Sequence, residues 1–493
     1  MSLATPASQT EVDEGATMVQ SITPKTDRGD EVARSREERQ LVRKLDLFIM
    51  PITYLLYIFA YLDRSNLGNA KLQGLETSLF PNDTSGNQFA LLSAMFYIAF
   101  LSWQIPLTLA AKRFPPNLVI GFVAVGYGIA CSLQAASFSY AGITTTRYFL
   151  GLFEAGYSPV VPFYYTFFYL KSEHGFRTSL YVSGAPLASA FGGLIAYGVQ
   201  HIRSYVATWR ILFLVEGLPT ILVGSLAFLV LPSRPETTKR LNETERKLAL
   251  SRLRREVAPE GNEINWKHVI VSLADYKAWI VCLIYQSLSV ALASISVFLP
   301  SIIKSLGYTD AKAQIMTVPP YACACIVMIV VAKVSDRLNI RGPFVAAALA
   351  LSGIGYTILL TVPTTATKVR YGAIILAVTG TYSGFPVSIS WTVCNAGSET
   401  RRAVNMAMLN TIGQCMSILG SYIYPSHEGP AYIRGFSICC GFAWWGVVLA
   451  ISLSLLLGFE NRRRDSYEGK LDIGEEMDTS SYADKAKGFR YVL

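Results

Sequence analysis

Apolar residues in this chain gather into long blocks separated by polar connections. Blocks of membrane-spanning length lie near 47–69, 88–110, 117–137, 142–169, 178–199, 209–231, 275–300, 314–334, 343–362, 371–392, 403–424 and 434–458. A bilayer core about 30 Å thick needs roughly 20 apolar residues per helix, so each block predicts one spanning helix. The pattern therefore predicts an all-α integral membrane protein with twelve transmembrane helices, which would take up roughly half the chain. Soluble multi-domain, collagenous and disordered readings are excluded. The polar first 40 residues end in a charged run, so the first block, and not a cleavable signal peptide, is expected to direct insertion.

The longest connection, 232–274, separates six blocks from six. This predicts an N-terminal tail over 1–44, a six-helix bundle over 45–231, the linker, a second six-helix bundle over 275–460, and a tail over 461–493. In the linker, Asn242 followed by Glu245 forms a capping box that opens an amphipathic helical stretch over 243–257. That helix could lie on the membrane surface, bridge the halves, or serve as a solvated spacer. Segments 1–34 and 465–493 read as flexible tails.

Composition agrees with the block pattern. Of 493 residues, 52% are apolar and 16% charged, too little charge to cover a water-facing surface of this size. The net charge of +9 matters less than where the basic residues lie. Arg34, Arg36, Arg39, Arg43 and Lys44 precede the first span; Lys112 with Arg113, Lys171 with Arg177, the linker cluster, Lys333 with Arg337 and Arg341, Arg401 with Arg402, and Arg462 to Arg464 follow on every second connection. By the positive-inside rule both termini are expected in the cytoplasm, consistent with an even number of spans. The sequon Asn82-Asp83-Thr84 then falls outside, making Asn82 a glycosylation candidate, and the one at Asn242 falls inside, where it should be silent.

Enzyme chemistry finds little support. The eight cysteines lie in or beside apolar blocks and read as small hydrophobes, and the four histidines are scattered. No zinc or haem ligand spacing, nucleophile elbow or phosphate loop occurs, so neither metal nor cofactor is expected. Two six-helix halves around a linker instead match a transporter whose bundles rock about a central site.

The most informative residues are charges inside apolar blocks: Asp63 and Arg64 in the first, Arg147 and Glu154 in the fourth, Arg210 and Glu216 in the sixth. A lone charge in hydrocarbon is costly, so these should face a cavity or each other. Tyr57, Tyr61, Arg64 and Gly68 recur at helical spacing, setting two phenols and a guanidinium on one face as an anion clamp. Asp63 points about 100° away, toward another span. Arg147 and Glu154, two turns apart, share a face. Carboxylates so placed suit proton carriage, and structural ion pairs from Asp63 to Arg64 or Arg147 to Glu154 are the alternative. For Arg210 and Glu216 a structural role is favoured. In the second half, Tyr285, Gln286, Tyr382, Asn410 and Gln414 are polar and could complete substrate hydrogen bonding or join helices.

The runs Tyr61-Leu62-Asp63-Arg64-Ser65-Asn66-Leu67-Gly68-Asn69-Ala70, Arg147 through Pro159, and Trp209-Arg210 through Glu216-Gly217 resemble the anion:cation symporter branch of the major facilitator superfamily, nearest the fungal allantoate, nicotinate and vitamin permeases. The resemblance covers roughly 45–460 and implies the major facilitator fold and proton-coupled uptake of a small organic anion by alternating access. It implies that Arg64 contacts the substrate carboxylate, that Asp63 and Glu154 carry coupling protons with Arg147 nearby, and that Ser335-Asp336-Arg337 with Arg341 forms a cytoplasmic gating signature. The chain departs from the pattern at Lys112-Arg113-Phe114-Pro115-Pro116, which lacks the superfamily's aspartate, and at Gln104, where these permeases often carry glutamate. The expected partners are an organic anion, protons and membrane lipid, with no nucleic acid; a monomer in the plasma membrane is expected. An exporter or exchanger of an organic acid or secondary metabolite is the alternative, followed by a nutrient sensor without flux.

Overall fold

A computed structural model describes residues 28–83, 86–238, 240–256, 266–468, 484, 486 and 488–493. The elements used below are α1 (Arg28–Leu72), α2 (Asn87–Arg113), α3 (Pro116–Ala135), α4 (Tyr140–Ala155), α5 (Val160–Tyr165), α6 (Lys171–Val182), α7 (Gly184–Gln200), α8 (Thr208–Val230), α9 (Glu243–Glu256), α10 (Trp266–Ala274), α11 (Tyr276–Lys304), α12 (Val318–Leu338), α13 (Gly342–Thr361), α14 (Thr367–Cys394), α15 (Glu399–Gln414), α16 (Met416–Gly420) and α17 (Ile433–Glu468). Among the described residues, nine helical segments are long and apolar enough to cross a membrane. This is a multi-pass membrane protein. Outward-facing side chains such as Leu47, Phe122, Leu222, Ile326 and Phe459 are exposed, as a lipid-facing surface requires.

The other three predicted blocks are occupied by α2, by α4 with α5, and by α15 with α16. For α4 and α15 the sequences explain the difference. α4 carries Thr144, Thr145, Thr146, Arg147 and Glu154, and the chain breaks before Pro159, whose ring disfavours a helical residue ahead of it. α15 carries Arg401, Arg402, Asn405, Asn410 and Gln414. Interior-facing helices need fewer lipid contacts and tolerate this polarity.

The helix pairings of the first half recur in the second. α3 packs on α8 as α13 packs on α17, α2 on α4 as α12 on α14, α1 on α8 as α11 on α17, and α1 on α7 as α11 on α15 and α16. The halves meet tightly at the end away from the chain termini. A Cβ on Gly68 of α1 would collide with the Val297 carbonyl of α11, so only glycine permits this approach. Nearby, Ser93 Oγ donates to Ser421 Oγ at 3.1 Å and Gln314 Nε2 to the Asn69 carbonyl at 3.4 Å. Lys71 sits over the Phe89 ring at 4.3 Å.

At the terminus-bearing end, ion pairs fasten each half. Arg177 forks onto Asp46 at 2.7 and 2.8 Å. The linker helix α9 forms, and the Asn242 N–H donates to Glu245 at 2.9 Å, one arm of the capping box. Rather than lying free, α9 docks on the first half: Lys44 pairs with Glu245 at 2.7 Å and Arg252 with Glu173 at 2.6 Å.

The expectation of a flexible C-terminal tail needs correction over its described residues. The Val492 carbonyl accepts from Trp391 Nε1 at 2.9 Å and Asn395 Nδ2 at 3.0 Å. The Leu493 carbonyl accepts from the Arg341 and Gly342 N–H groups at the start of α13, supplying partners that a helix N-terminus lacks. Tyr491 donates to Asp484 at 2.7 Å, and Asp484 pairs with Arg401. Burial pushes the Tyr491 phenol up to about 12, so it stays neutral and donates. Most of the opposite tail, 1–27, lies outside the described residues.

Candidate functional site

The charges of the first half converge from α1, α4 and α8. Arg64 extends from α1 to Glu154 of α4, its Nε donating to Oε1 at 2.5 Å with Nη2 on the same oxygen. The cross-helix pair Arg64–Glu154 thus replaces both structural pairs considered from spacing, Asp63 to Arg64 and Arg147 to Glu154. Helical geometry accounts for this. Neighbours on one helix diverge by about 100°, so Asp63 and Arg64 cannot face the same partner. The guanidinium is walled by aromatic rings, with its carbon 5.0 Å from Phe96, 5.0 Å from Phe100 and 5.4 Å from Tyr61. The planar cation lying against ring faces gains cation–π attraction, which strengthens where water is excluded.

Asp63 turns toward α3. Its Oδ1 accepts from the Cys131 thiol at 3.0 Å, so Cys131 is a hydrogen-bonding group as well as the small hydrophobe its sequence context suggested. Arg147 is 1% exposed and donates from Nη1 to the Asp63 backbone carbonyl at 3.1 Å. Arg210 and Glu216, grouped by sequence, separate. Arg210 donates to the Ala135 carbonyl in the last turn of α3 and stacks on Phe138 and Trp209 at 4.4 Å each, capping that helix. Glu216 is 1% exposed, deep beside α3, where Gly217 leaves room for Ser132.

Tyr57 and Tyr61 lie on the Arg64 side of α1 with ring centres 6.0 Å apart, and Tyr57 stacks on Tyr181 of α6 at 4.1 Å. In the second half, Tyr285 is fully buried against Phe385, and Gln286 Nε2 donates to the Ile412 carbonyl at 3.0 Å, tying α11 to α15. Asn410 donates back into its own helix, to the Met406 carbonyl at 3.0 Å. Gln414 lies beside the Tyr285 phenol. Asp336 pairs with Arg341, and Arg337 is exposed. Asn82 is exposed; Thr84 of its sequon, like the Lys112 and Arg113 side chains, lies outside the described residues.

A small cavity between the halves is lined by Arg64, Ser93, Phe96, Tyr97, Arg147 and Val297, among others. It is far below the roughly 300–1,000 Å³ of a ligand-filled pocket. Phe96, Tyr97 and Phe100 on α2 were missed from sequence. Their one-face spacing of four between the phenylalanines was visible, but aromatic pairs on an apolar span read as ordinary packing.

Residues 53–421 match the family described as Major Facilitator Superfamily. The chain belongs to the Major Facilitator Superfamily. Similar full-length relatives agree: an MFS transporter, prlL, from a fungal species (strain NRRL 50135) is 33% identical over 90% of this chain and 92% of its own, and the major facilitator-type transporter hxnP from Emericella nidulans is 32% identical over 95% and 96%. Among solved structures, a bacterial homolog of the human lysosomal transporter Spinster in an inward-facing, unoccupied conformation aligns with a TM-score of 0.65 at 14% identity, covering 83% of this chain and 96% of that one. A D-xylose-proton symporter aligns with a TM-score of 0.64 at 14% identity, covering 83% and 97%. As a member of this superfamily the chain is a secondary-active transporter of the alternating-access type, a non-catalytic carrier. In such a carrier the buried charges between rocking halves are the place to look for the cargo site.

Proposed function

We propose that this carrier moves a small organic anion, a monocarboxylate or vitamin-like acid such as nicotinate, pantothenate or allantoate, into the cell together with a proton. The reading includes twelve spans in two six-helix bundles, 45–231 and 275–460, with both termini cytoplasmic in the plasma membrane. One observation carries it: Arg64 is a fixed cation between the halves, enclosed by three rings, whose sole ion-pair partner among the described residues is Glu154.

The physical consequence is an exchange of partners. A substrate carboxylate that binds Arg64 displaces Glu154, and a buried carboxylate stripped of its partner costs about 3–5 kcal/mol. Protonating Glu154 removes that cost, so anion and proton bind together and the site stays neutral. Tyr57 and Tyr61 supply phenol donors or a stacking face, while Tyr285, Gln286, Asn410 and Gln414 shape the opposite wall. Asp63 and Arg147 hold the second charge cluster behind the clamp. In this reading the tight contact at Gly68 closes the outer end, Asp336, Arg337 and Arg341 form the gate on the cytoplasmic side, and Arg210 and Glu216 support the bundle.

The test is uptake of labelled nicotinate, pantothenate, allantoate and short dicarboxylates into proteoliposomes with and without an inward proton gradient. Gradient-stimulated net uptake of one acid is expected. Uptake indifferent to the gradient would reject proton coupling, and no uptake of any carboxylate would reject the anion reading.

A further inference from the structure

Among the described residues, Asp63, Glu154 and Glu216 lie deep in the first half with the guanidinium groups of Arg64 and Arg147, and they do not pair off evenly. Arg64 pairs with Glu154 through Oε1 alone, and Glu154 Oε2 has no hydrogen-bond partner among the described residues. Asp63, Glu216 and Arg147 remain, at 0%, 1% and 1% exposure. Four helices bring them together. The Cys131 thiol of α3 bridges Asp63 of α1, at 3.0 Å, to the Phe213 carbonyl of α8, at 3.6 Å. The Phe213 ring, one turn before Glu216, lies 5.8 Å from the Arg147 guanidinium of α4. Asp63 and Arg147 are the charged groups within electrostatic reach of Glu216, and Cys131 is the further titratable one. α7, also packed on α8, contributes only Tyr197, which stacks on His201 at the helix end.

With both carboxylates ionised this cluster would carry one negative charge in excess, far from water. Its polar atoms are also incompletely matched. Among the described residues, Asp63 Oδ2, both Glu216 oxygens, and Arg147 Nε and Nη2 have no hydrogen-bond partner. Two carboxylates confined beside one cation resolve the excess by binding one proton between them. The thiol hydrogen bond favours an ionised Asp63, whereas neither Glu216 oxygen receives a donor.

We propose that Asp63 and Glu216 share one proton, carried by Glu216 in this conformation while Arg147 balances the ionised Asp63. Glu216 is then a proton-holding site separate from Glu154. Any role in coupling rests on the proton-symport reading above; the protonation state does not. Asp63 adjoins Arg64 on α1, so a shift of α1 on anion binding changes the Asp63–Glu216 spacing and the ease of releasing the shared proton.

Infrared spectroscopy of the purified full-length protein at neutral pH tests this through the stretching band of a buried protonated carboxyl group. Wild type should show the band, and E216Q should lose it. D63N should lose it too, because Glu216 then has Arg147 to itself and ionises. R147Q should strengthen it, because both acids protonate. These variants read one charge balance independently, so a failure of E216Q to fold leaves D63N and R147Q to decide. A band absent from wild type, or one that survives in D63N, overturns the shared proton. Gradient-independent transport would reject symport and leave the infrared result standing.

Discussion

Arg64 does its work through two kinds of contact, a charged pair with Glu154 and an enclosing set of rings, and they make different predictions. Charge-assisted hydrogen bonds contribute about 1.5–3 kcal/mol, so R64Q should weaken binding of the transported acid by roughly 10- to 100-fold. R64K should recover only part, since an ammonium cannot fork onto a carboxylate. Binding of the labelled acid to purified protein measures both, and an R64Q protein with unchanged affinity would refute the clamp. Phe96→Ala removes one ring at 5.0 Å and should cost about 0.5–2 kcal/mol of the same affinity without altering proton dependence. E154Q should behave differently: it needs no proton to release Arg64, so exchange should persist while gradient-driven accumulation falls. Equal loss of both would assign Glu154 a structural role. The charged residues of this site were legible in the sequence because each breaks an apolar run. Their partners were not, because Arg64 to Glu154 spans 90 residues and depends on how α1 meets α4.

Among the helices, long apolar periodic ones were legible throughout, since hydropathy and length are local properties. The broken elements α4 with α5 and α15 with α16 were legible as blocks only, because the breaks after Ala155 and at Cys415 fall inside stretches that read as single apolar blocks. The α9 helix was legible from its capping box, and its docking was not. That docking predicts a pH effect. Burial pushes the Glu245 carboxyl up, but hydrogen bonds from Lys44 and the Asn242 N–H more than reverse this, leaving it below its ordinary 4.5. A carboxyl depressed in the folded state stabilises above its unfolded value and loses that contribution as pH falls through the folded one. Wild type should therefore melt at a higher temperature than E245Q at neutral pH, with the gap closing as pH falls below about 4.5. A gap that persists in acid would place the effect elsewhere. At the other end, Tyr491→Ala removes the phenol that donates to Asp484 and accepts from Lys277 at 2.6 Å. It should expose the 484–493 segment to limited proteolysis while the helices stay protected.

For the molecule as a whole, closure at the end away from the termini turns on one glycine. Replacing Gly68 with Val places a branched side chain against the Val297 carbonyl and should hold that end open. A cysteine pair at Ser93 and Ser421, whose hydroxyls are 3.1 Å apart, reports on it: S93C/S421C should cross-link readily, and adding G68V should reduce the yield several-fold. Undiminished cross-linking would show that the glycine contact does not control closure. Glycosylation of Asn82, lost in N82Q, would place that end outside the cell.

The sequence alone determined the membrane class, the positions of the apolar blocks and which charges are out of place. All of these follow from local composition and from the energetic demand that spanning segments be apolar. Tertiary packing decided which charges pair, that Arg210 caps α3 while Glu216 joins Asp63 and Arg147, and that the chain's last residues are bound. Each of those outcomes depends on contacts between residues distant in sequence, where a rotation of one helix by a single residue would choose different partners.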